Sequence, residues 1–406
     1  MRSTFGRGEF RLVTPMNQIQ KNAFEQSADF ETAARAIYSG KRILVTGAAG
    51  SIGSQLLLRL LRFAPARMAA LDKDENGILE LEQEVQLRRT PIAVRTHVAD
   101  LRDTCRLESI CQDFSPQIIF HAAAYKHAPL MELHPSEAIL GNVMGTKNLL
   151  DVIAGFGAER FVFVSTDEAF NPVNVMGATK RIGEMLVQAA SQSGRVRGAS
   201  VRFGNVLGTR GSVVPLFRRQ IATGGPITLT HSEMARYFIT MQQAVQFILA
   251  AGCEAHKGEV FVAQEDRLRN VEELAREMIL LAGLEPGKDI EIRIVGLRPG
   301  ERFAEEGVPR QNRVTRTRFH GLFIIESSDV NDRSLTRNIS HLVQASRSAD
   351  PRGIYSILAT MGLGYRQIVQ LPTAEPRSPS PPDPGDTMEP AELPSAIPPL
   401  SKGAAN

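Results

Sequence analysis

The sequence predicts an α/β fold, in which a Rossmann-like, doubly wound parallel sheet is followed by a smaller C-terminal domain. Short apolar runs of the kind found in strands buried on both faces recur along the chain. They are Arg42 to Val45, Met68 to Leu71, Ile92 to Val98, Gln117 to Phe120 and Phe161 to Val164. Helical patterns lie between them, such as Ser54 to Leu61 and Asn142 to Ile153. This alternation predicts parallel strands joined by right-handed crossovers.

Local signals divide the chain into four parts. Asn270 is placed to cap a helix from Val271 to Leu281, and a strand is expected at Ile290 to Val295. From Pro372 to the end 10 of 35 residues are proline, so this segment buries too little apolar surface to offset its ordering entropy. We therefore predict an N-terminal arm (1–39), a dinucleotide-binding Rossmann domain (40–205), a partly interleaved substrate-binding region (206–370) and a disordered proline-rich tail (371–406).

The composition is that of an ordinary globular protein and argues against several classes. Of the residues, 43% are hydrophobic and 22% are charged. The net charge is only +3 and the basic residues are spread along the chain, so we expect no nucleic-acid partner. Cys105, Cys111 and Cys253 lack the spacing of a disulfide framework or a zinc site, so we expect no metal. No apolar run approaches the ~18 residues of a membrane span, and the N-terminus lacks a secretory signal pattern, which predicts a cytoplasmic protein without a transmembrane segment.

The strongest motif follows the first predicted strand and opens the first predicted helix. It reads G-x-x-G-x-x-G, with Gly47, Gly50 and Gly53 as its glycines and with Ser51 and Ile52 before the last of them. Glycines permit a tight turn and a close approach of the backbone to a pyrophosphate, while the helix N-terminus offers free N–H groups and a positive dipole end. In this strand–turn–helix context the motif predicts a dinucleotide site.

Residues at the ends of the next strands fit the remainder of a dinucleotide. Asp72 ends the second strand, where a carboxylate accepts hydrogen bonds from ribose hydroxyls and repels a 2′-phosphate, so NAD is favoured. Lys73 leaves NADP open, and a solvated charged turn is the alternative interpretation. For His121 we favour a buried structural role, held by backbone carbonyls. Further cofactor contacts are expected from Asp100, Leu101, Ala122, Ala123 and Ala124.

Six separated motifs, in order, carry a resemblance to a known family. They are V-T-G-A-A-G-S-I-G at Val45, H-A-A-A-Y-K-H-A-P-L-M-E at His121, S-T-D-E-A-F-N-P-V-N-V-M-G-A-T-K-R at Ser165, V-R-F-G-N-V-L-G at Val201, R-Y-F at Arg236 and G-L-R-P-G-E at Gly296. Residues 40–370 resemble the UDP-N-acetylglucosamine 4,6-dehydratases, in the polysaccharide-biosynthesis branch of the extended short-chain dehydrogenases. Longer members carry N-terminal membrane spans, and this chain resembles their catalytic portion. The resemblance implies an NAD(P)-dependent homo-oligomer that converts a UDP-sugar to a 4-keto-6-deoxy sugar.

A 4,6-dehydratase needs an acid and a base beside its cofactor, and the resemblance implies which residues supply them. Thr166 would hydrogen-bond a sugar hydroxyl, Asp167 would be the acid for water loss and Glu168 the base at sugar carbon 5. Lys180 would hold the nicotinamide ribose. Ordinary superfamily members have a tyrosine four residues before this lysine, on the same helix face, whereas this chain has Met176, as the long-form branch also does.

Glu168 departs from the branch, which usually has lysine after the aspartate. The deoxythymidine-diphosphate-glucose 4,6-dehydratases carry an Asp-Glu pair at this point, but they keep the tyrosine that this chain lacks. Two other functions therefore stay open. One is a UDP-sugar epimerase, and the other is a non-catalytic regulator that keeps the NAD fold.

The later motifs supply candidates for binding the nucleotide sugar. By the resemblance, Arg236 and Arg298 would bind the diphosphate, because guanidinium groups make bidentate contacts with phosphate oxygens. Further substrate contacts are expected from Lys126, His127, Asn205 and Glu301. Residues 264–269 differ from the family's usual loop, so the sequence leaves the exact sugar open.

Overall fold

The computed structural model describes residues 28–264, 268–303, 314–326 and 329–367. The predicted proline-rich tail and residues 1–27 of the predicted arm lie outside this range. The strands are β1 (Arg42–Thr46), β2 (Arg67–Asp72), β3 (Ala93–Val98), β4 (Ile118–His121), β5 (Arg160–Val164), β6 (Arg197–Arg202), β7 (Asn205–Val206), β8 (Ile227–Leu229), β9 (Ala235–Ile239), β10 (Glu259–Ala263), β11 (Leu268–Asn270), β12 (Ile292–Ile294), β13 (Val314–Arg316) and β14 (Leu322–Ile325).

Helices connect these strands. They are α1 (Ala28–Tyr38), α2 (Ser51–Leu60), α3 (Glu75–Leu87), α4 (Thr104–Phe114), α5 (Ala128–Leu133), α6 (Pro135–Ala138), α7 (Gly145–Ala154), α8 (Val175–Gln192), α9 (Val213–Ala222), α10 (Met241–Glu254), α11 (Val271–Leu281), α12 (Asp332–Arg347) and α13 (Pro351–Thr360). Along the described residues, no helix has both the length and the apolar character needed to cross a membrane.

Among the described residues, the central sheet has nine strands in the order β13-β14-β10-β6-β5-β4-β1-β2-β3. Strands β1 to β6 and β10 run parallel, whereas at one edge β14 pairs antiparallel with β10, and β13 pairs antiparallel with β14. The predicted α/β, Rossmann-like fold is confirmed. Because the strand order reverses between β1 and β4, the crevice at their carboxyl ends is where doubly wound sheets bind ligands.

The core lies on both faces of this sheet, because successive strand residues point to opposite faces. On β1, Ile43 belongs to one buried apolar cluster and Leu44 to the other. The first cluster also contains Tyr38 of α1, whose hydroxyl donates to the Leu249 carbonyl at 2.5 Å. The part of the predicted arm that the structure describes therefore forms α1, which packs against one face of the sheet.

A smaller group of elements packs around a third apolar cluster, which includes Phe217, Ile227 and Leu274. Its strands are β7, β9 and β11 in one small sheet, and β8 paired with β12 in another. The predicted cap of α11 is confirmed, because the Asn270 side chain accepts from the N–H groups of Glu272 and Glu273. Strands β10 and β14, from the same part of the sequence, join the central sheet instead.

The helix predicted from Asn142 to Ile153 is wrong at its start. A π-helical segment, Ile139–Met144, precedes α7, and Asn142 lies within it. The Asn142 side chain accepts from the Tyr125 N–H at 2.8 Å and donates to the Tyr125 carbonyl at 2.9 Å. These long-range bonds tie the segment to the loop after β4, which a local helical pattern does not reveal.

Candidate active site

A cavity of 240 Å³ lies at the carboxyl ends of β1 to β4, beside the point where the strand order reverses. Nine residues predicted to contact a cofactor line it: Gly47, Gly50, Asp72, Lys73, Asp100, Leu101, Ala122, Ala123 and Ala124. Of the other predicted cofactor residues, Ser51, Ile52 and Gly53 form the first turn of α2. Sequence reasoning missed several lining residues, among them Tyr125, Gly141, Asn142 and Arg210.

The glycine loop packs so closely against neighbouring backbone that Gly47 and Gly53 have no room for a side chain. Gly47 has φ +70°, and a Cβ there would lie 2.4 Å from the Ala123 nitrogen. A Cβ on Gly53 would lie 2.1 Å from the Gly47 carbonyl oxygen. No side chain caps α2, so its first N–H groups face the end of the loop. This cradle fits the pyrophosphate of a dinucleotide.

Asp72 and Lys73 line the other side of the cavity. The Asp72 carboxylate accepts from the Ala49 N–H at 3.0 Å, which fixes the end of β2 against the glycine loop. The Lys73 ammonium donates to the Tyr125 hydroxyl and lies 4.0 Å from the centroid of its ring. Tyr125 and Lys73 therefore connect the ends of β4 and β2 across the cavity.

A loop from the later part of the chain reaches the same cavity. The Arg210 N–H donates to Ser51 Oγ at 3.0 Å, and its guanidinium pairs with Glu80 at 2.6 Å. This contact joins residues separated by 159 positions, so no local sequence pattern predicts it.

His121 is buried and its ring nitrogens contact two hydroxyls, Thr46 Oγ1 at 2.6 Å and Thr146 Oγ1 at 2.8 Å. The expected backbone carbonyl partners were therefore wrong. Burial and then the charge of Lys180 lower the pKa of His121 to about 3, so the ring is neutral. It joins β4 to β1 and α7 as a structural group.

The acidic pair lies directly after β5. The Thr166 hydroxyl and the Glu168 N–H both donate to Asp167 Oδ1, each at 2.9 Å. Asp167 Oδ2 is buried and has no hydrogen-bond partner in the described structure. Burial raises the pKa of both carboxyl groups, and the neighbouring charge of Asp167 raises the pKa of Glu168 further. Such a pair holds a proton at higher pH than exposed carboxyl groups do, which suits acid–base chemistry.

Lys180 and Met176 lie on α8, behind the acidic pair. The Lys180 ammonium donates to the Val164 carbonyl at 2.8 Å and lies 4.8 Å from the centroid of the Phe163 ring. Burial lowers the pKa of Lys180 to about 8. Met176 is 3% exposed and belongs to a core cluster. Lys180 is thus held at the end of β5, next to the loop of Thr166, Asp167 and Glu168, which we call the acidic loop.

Two further cavities, one of them lined by Glu168, contain every residue predicted to bind substrate. One, of 260 Å³, is lined by Glu168 together with Lys126, His127, Asn205, Arg236, Arg298, Glu301 and Arg302. The other, of 340 Å³, shares Asn205, Arg236, Arg298 and Glu301. The structure adds Arg302, whose guanidinium donates to the Phe170 carbonyl at 3.0 Å and whose charge lowers the pKa of Glu168.

A buried ion pair supports the acidic loop from behind. Glu184 is fully buried and accepts two hydrogen bonds from Arg202, each at 2.6 Å. The same carboxylate accepts from the Ser165 hydroxyl at 2.7 Å, one residue before Thr166. The loop is therefore anchored to α8 and β6 at once.

Arg202→Met is expected to lower the free energy of unfolding by about 3–5 kcal/mol, because it leaves the Glu184 carboxylate buried without its main partner. Urea unfolding at neutral pH measures the change. Arg276→Met removes an exposed pair with Glu272, and we expect this control to leave the midpoint nearly unchanged. Equal losses in the two variants would contradict the importance of the buried pair.

Residues 43–327 match a family described as polysaccharide biosynthesis protein. The chain belongs to this family. The branch expected from the motifs is thus confirmed. The capsular polysaccharide biosynthesis protein CapD of Staphylococcus aureus is 43% identical over 275 residues, which are 66% of this chain and 45% of that protein. The chain therefore spans about half the length of this relative.

Relatives with more specific names are also similar to the chain. A UDP-N-acetylglucosamine 4,6-dehydratase (inverting) of Campylobacter jejuni is 32% identical over 274 residues, covering 66% of this chain and 78% of that protein. Among solved structures, Pen from Bacillus thuringiensis has a TM-score of 0.66 at 31% identity, over 73% of this chain and 91% of that one. The Thermus thermophilus UDP-glucose 4-epimerase complex with NAD has a TM-score of 0.57 at 25% identity, over 65% and 89%.

Proposed function

We propose that the chain is an NAD-dependent 4,6-dehydratase that acts on UDP-N-acetylglucosamine and yields a 4-keto-6-deoxy sugar for polysaccharide synthesis. The observation that carries this proposal is the pair of carboxyl groups with raised pKa, Asp167 and Glu168, at the end of β5. The pair lies at the same edge of the sheet as the 240 Å³ cavity beside Gly47, which we call the dinucleotide cavity. Glu168 also lines the 260 Å³ cavity that contains Arg236 and Arg298; this cavity and the 340 Å³ one beside it are called the basic cavities. Elimination of water needs both an acid and a base, and this pair offers one of each.

NAD is the proposed cofactor, since the cradle at Gly47 fits a pyrophosphate and Asp72 lines the cavity where a ribose would lie. A carboxylate there disfavours the 2′-phosphate of NADP. Held by these residues, NAD would supply a hydride acceptor for sugar carbon 4 and a hydride donor for carbon 6. The similar Thermus thermophilus UDP-glucose 4-epimerase was solved as a complex with NAD, which supports this choice.

The protein's own side chains account for the protons. Thr166 donates to Asp167, so its hydroxyl can pass the proton of the carbon 4 hydroxyl to that carboxylate. Asp167 then gives a proton to the hydroxyl that leaves carbon 6 as water. Glu168 takes the proton from carbon 5, which the new ketone has made acidic, and returns one there at the end. Lys180 lies close behind the loop, and its positive charge stabilises the negative charge that develops.

The basic cavities are the proposed site of the UDP group. Arg236 and Arg298 line both cavities and supply guanidinium groups for the diphosphate. Asn205 also lines both, whereas Lys126 and His127 line the one that contains Glu168, where the sugar would lie. The cytoplasmic location, the homo-oligomer and the division into domains stay predictions.

The mass of the product distinguishes this proposal from the two alternatives. The purified chain is incubated with UDP-N-acetylglucosamine, and the product is analysed by mass spectrometry. A 4,6-dehydratase gives a product lighter by one water, whereas an epimerase gives an unchanged mass. Retention of NAD without turnover of any UDP-sugar would favour the regulator and contradict the proposal.

A further inference from the structure

The side chain of Asn174 joins three segments of the candidate active site. It is 1% exposed and stands at the start of α8, where its Oδ1 accepts from the Gly177 N–H at 2.7 Å. Its Nδ2 donates to Glu168 Oε2 at 2.7 Å and to the Gly300 carbonyl at 2.9 Å. The amide oxygen thus accepts from the helix that carries Lys180, and the amide N–H groups donate to the acidic loop and to the Gly296 motif.

Close packing fixes this junction. Gly300 has φ +71°, and a Cβ there would lie 2.9 Å from the Asn174 Cβ and 2.7 Å from the Glu132 Cγ. The Glu132 carboxylate accepts from the Val175 N–H at 2.5 Å, so it supports the same helix start. Asn174 is therefore packed directly against Gly300, and the start of α8 that it caps is held by Glu132.

We propose that Asn174 is a positioning residue, which holds the Glu168 carboxylate toward the substrate and couples it to the loop that carries Arg298 and Glu301. This inference rests on the proposed function, because it takes Glu168 as the base. The coupling depends on the Asn174 amide, because Glu168 and Gly300 both accept from it. A movement of the Gly300 loop moves one of its acceptors, and the other acceptor is the base.

The charges around Glu168 determine what a change at Asn174 does. Burial and Asp167 raise the pKa of Glu168, whereas the hydrogen bond from Asn174 and the charges of Arg236 and Arg302 lower it. The remaining titratable groups that line the same cavity are Lys126, His127, Arg298 and Glu301. Removing the donor and placing a carboxylate there raises the pKa of Glu168, because both changes disfavour its charged form.

The test is Asn174→Asp, which keeps a good helix-capping acceptor but removes both donated hydrogen bonds. Asn331→Asp is the matched control. Asn331 also caps a helix, α12, by accepting from the Ser334 N–H, but it lines neither basic cavity. Glutamate carboxyl carbons are labelled with ¹³C and titrated by NMR, and Glu168→Gln identifies the signal of Glu168. We expect its titration midpoint to rise by about one pH unit or more in Asn174→Asp and not in the control.

Kinetics supply the second readout. A base must be deprotonated, so the acidic limb of the kcat–pH profile should move to higher pH in Asn174→Asp, with similar thermal unfolding midpoints in both variants. An unmoved Glu168 signal would overturn the positioning role whether or not the wild type is active. A moved signal in a chain that turns over no nucleotide sugar would keep the positioning of the carboxylate and reject the proposed function.

Discussion

Glu168→Gln is expected to lower the rate of water loss about 10²–10⁴-fold, because an amide cannot take the proton from sugar carbon 5. Oxidation at carbon 4 does not need this group, so the variant should still reduce bound NAD when substrate is added. The absorbance of the reduced nicotinamide and the mass of the product are followed together. The expected result is a persistent absorbance signal with little dehydrated product.

Glu285→Gln is the matched control, because Glu285 lies on the surface and pairs with Lys288. It should leave both readouts at the wild-type level. The folded state of Glu168→Gln is checked by its thermal unfolding midpoint. A normal rate of water loss in the folded Glu168→Gln variant would contradict the proposal that Glu168 is the base at sugar carbon 5.

The pair of Asp167 and Glu168 makes the activity depend on pH in a defined direction. Glu168 must be deprotonated to act as a base, and its pKa lies above the usual value because of burial and the nearby Asp167. Activity should therefore fall as the pH drops through this raised pKa, starting at a higher pH than for an exposed glutamate. A rate that stays level down to the ordinary titration range of glutamate would contradict this environment.

Gly47→Ala is expected to abolish dinucleotide binding. The added methyl would lie 2.4 Å from the Ala123 nitrogen, so the loop after β4 and the glycine loop must move apart where the cofactor would lie. Calorimetric titration with NAD measures the loss. Gly40→Ala is the matched control, because Gly40 also has positive φ, at +69°, but nothing lies within 4 Å of its added Cβ.

Both alanine variants carry the cost of a left-handed backbone, about 1–2 kcal/mol, so their stabilities should fall by similar amounts from this cause. Only Gly47→Ala should also lose its affinity for NAD. If Gly47→Ala binds NAD as tightly as the Gly40→Ala control does, the cradle is not the dinucleotide site.

The parts of the fold that depend on local pattern were predictable from sequence. The glycine loop follows from a strand, three spaced glycines and a helix start, all within residues 42–60, and Asp72 follows from the end of the next strand. Buried parallel strands read as continuous apolar runs, so β1, β2 and β5 could be located closely. The nine predicted residues in the dinucleotide cavity result from this local information.

The contacts missed by sequence reasoning join distant segments. Arg210 reaches Ser51, and Asn174 reaches Gly300 across 126 positions. The Asn142 amide holds Tyr125, and the chain around Asn142 is π-helical where an α-helix was expected to begin. Such contacts depend on how elements pack, and a single sequence carries no periodic signal for them.

The fate of one hydrogen distinguishes a 4,6-dehydratase from the alternatives. UDP-N-acetylglucosamine deuterated at carbon 4 is given to the purified chain, and the product is analysed by mass spectrometry and NMR. We expect a product lighter by one water with the deuterium at carbon 6, because a 4,6-dehydratase keeps the hydride in the same site between its two transfers. A product that keeps deuterium at carbon 4, or that has the original mass, would contradict a dehydratase.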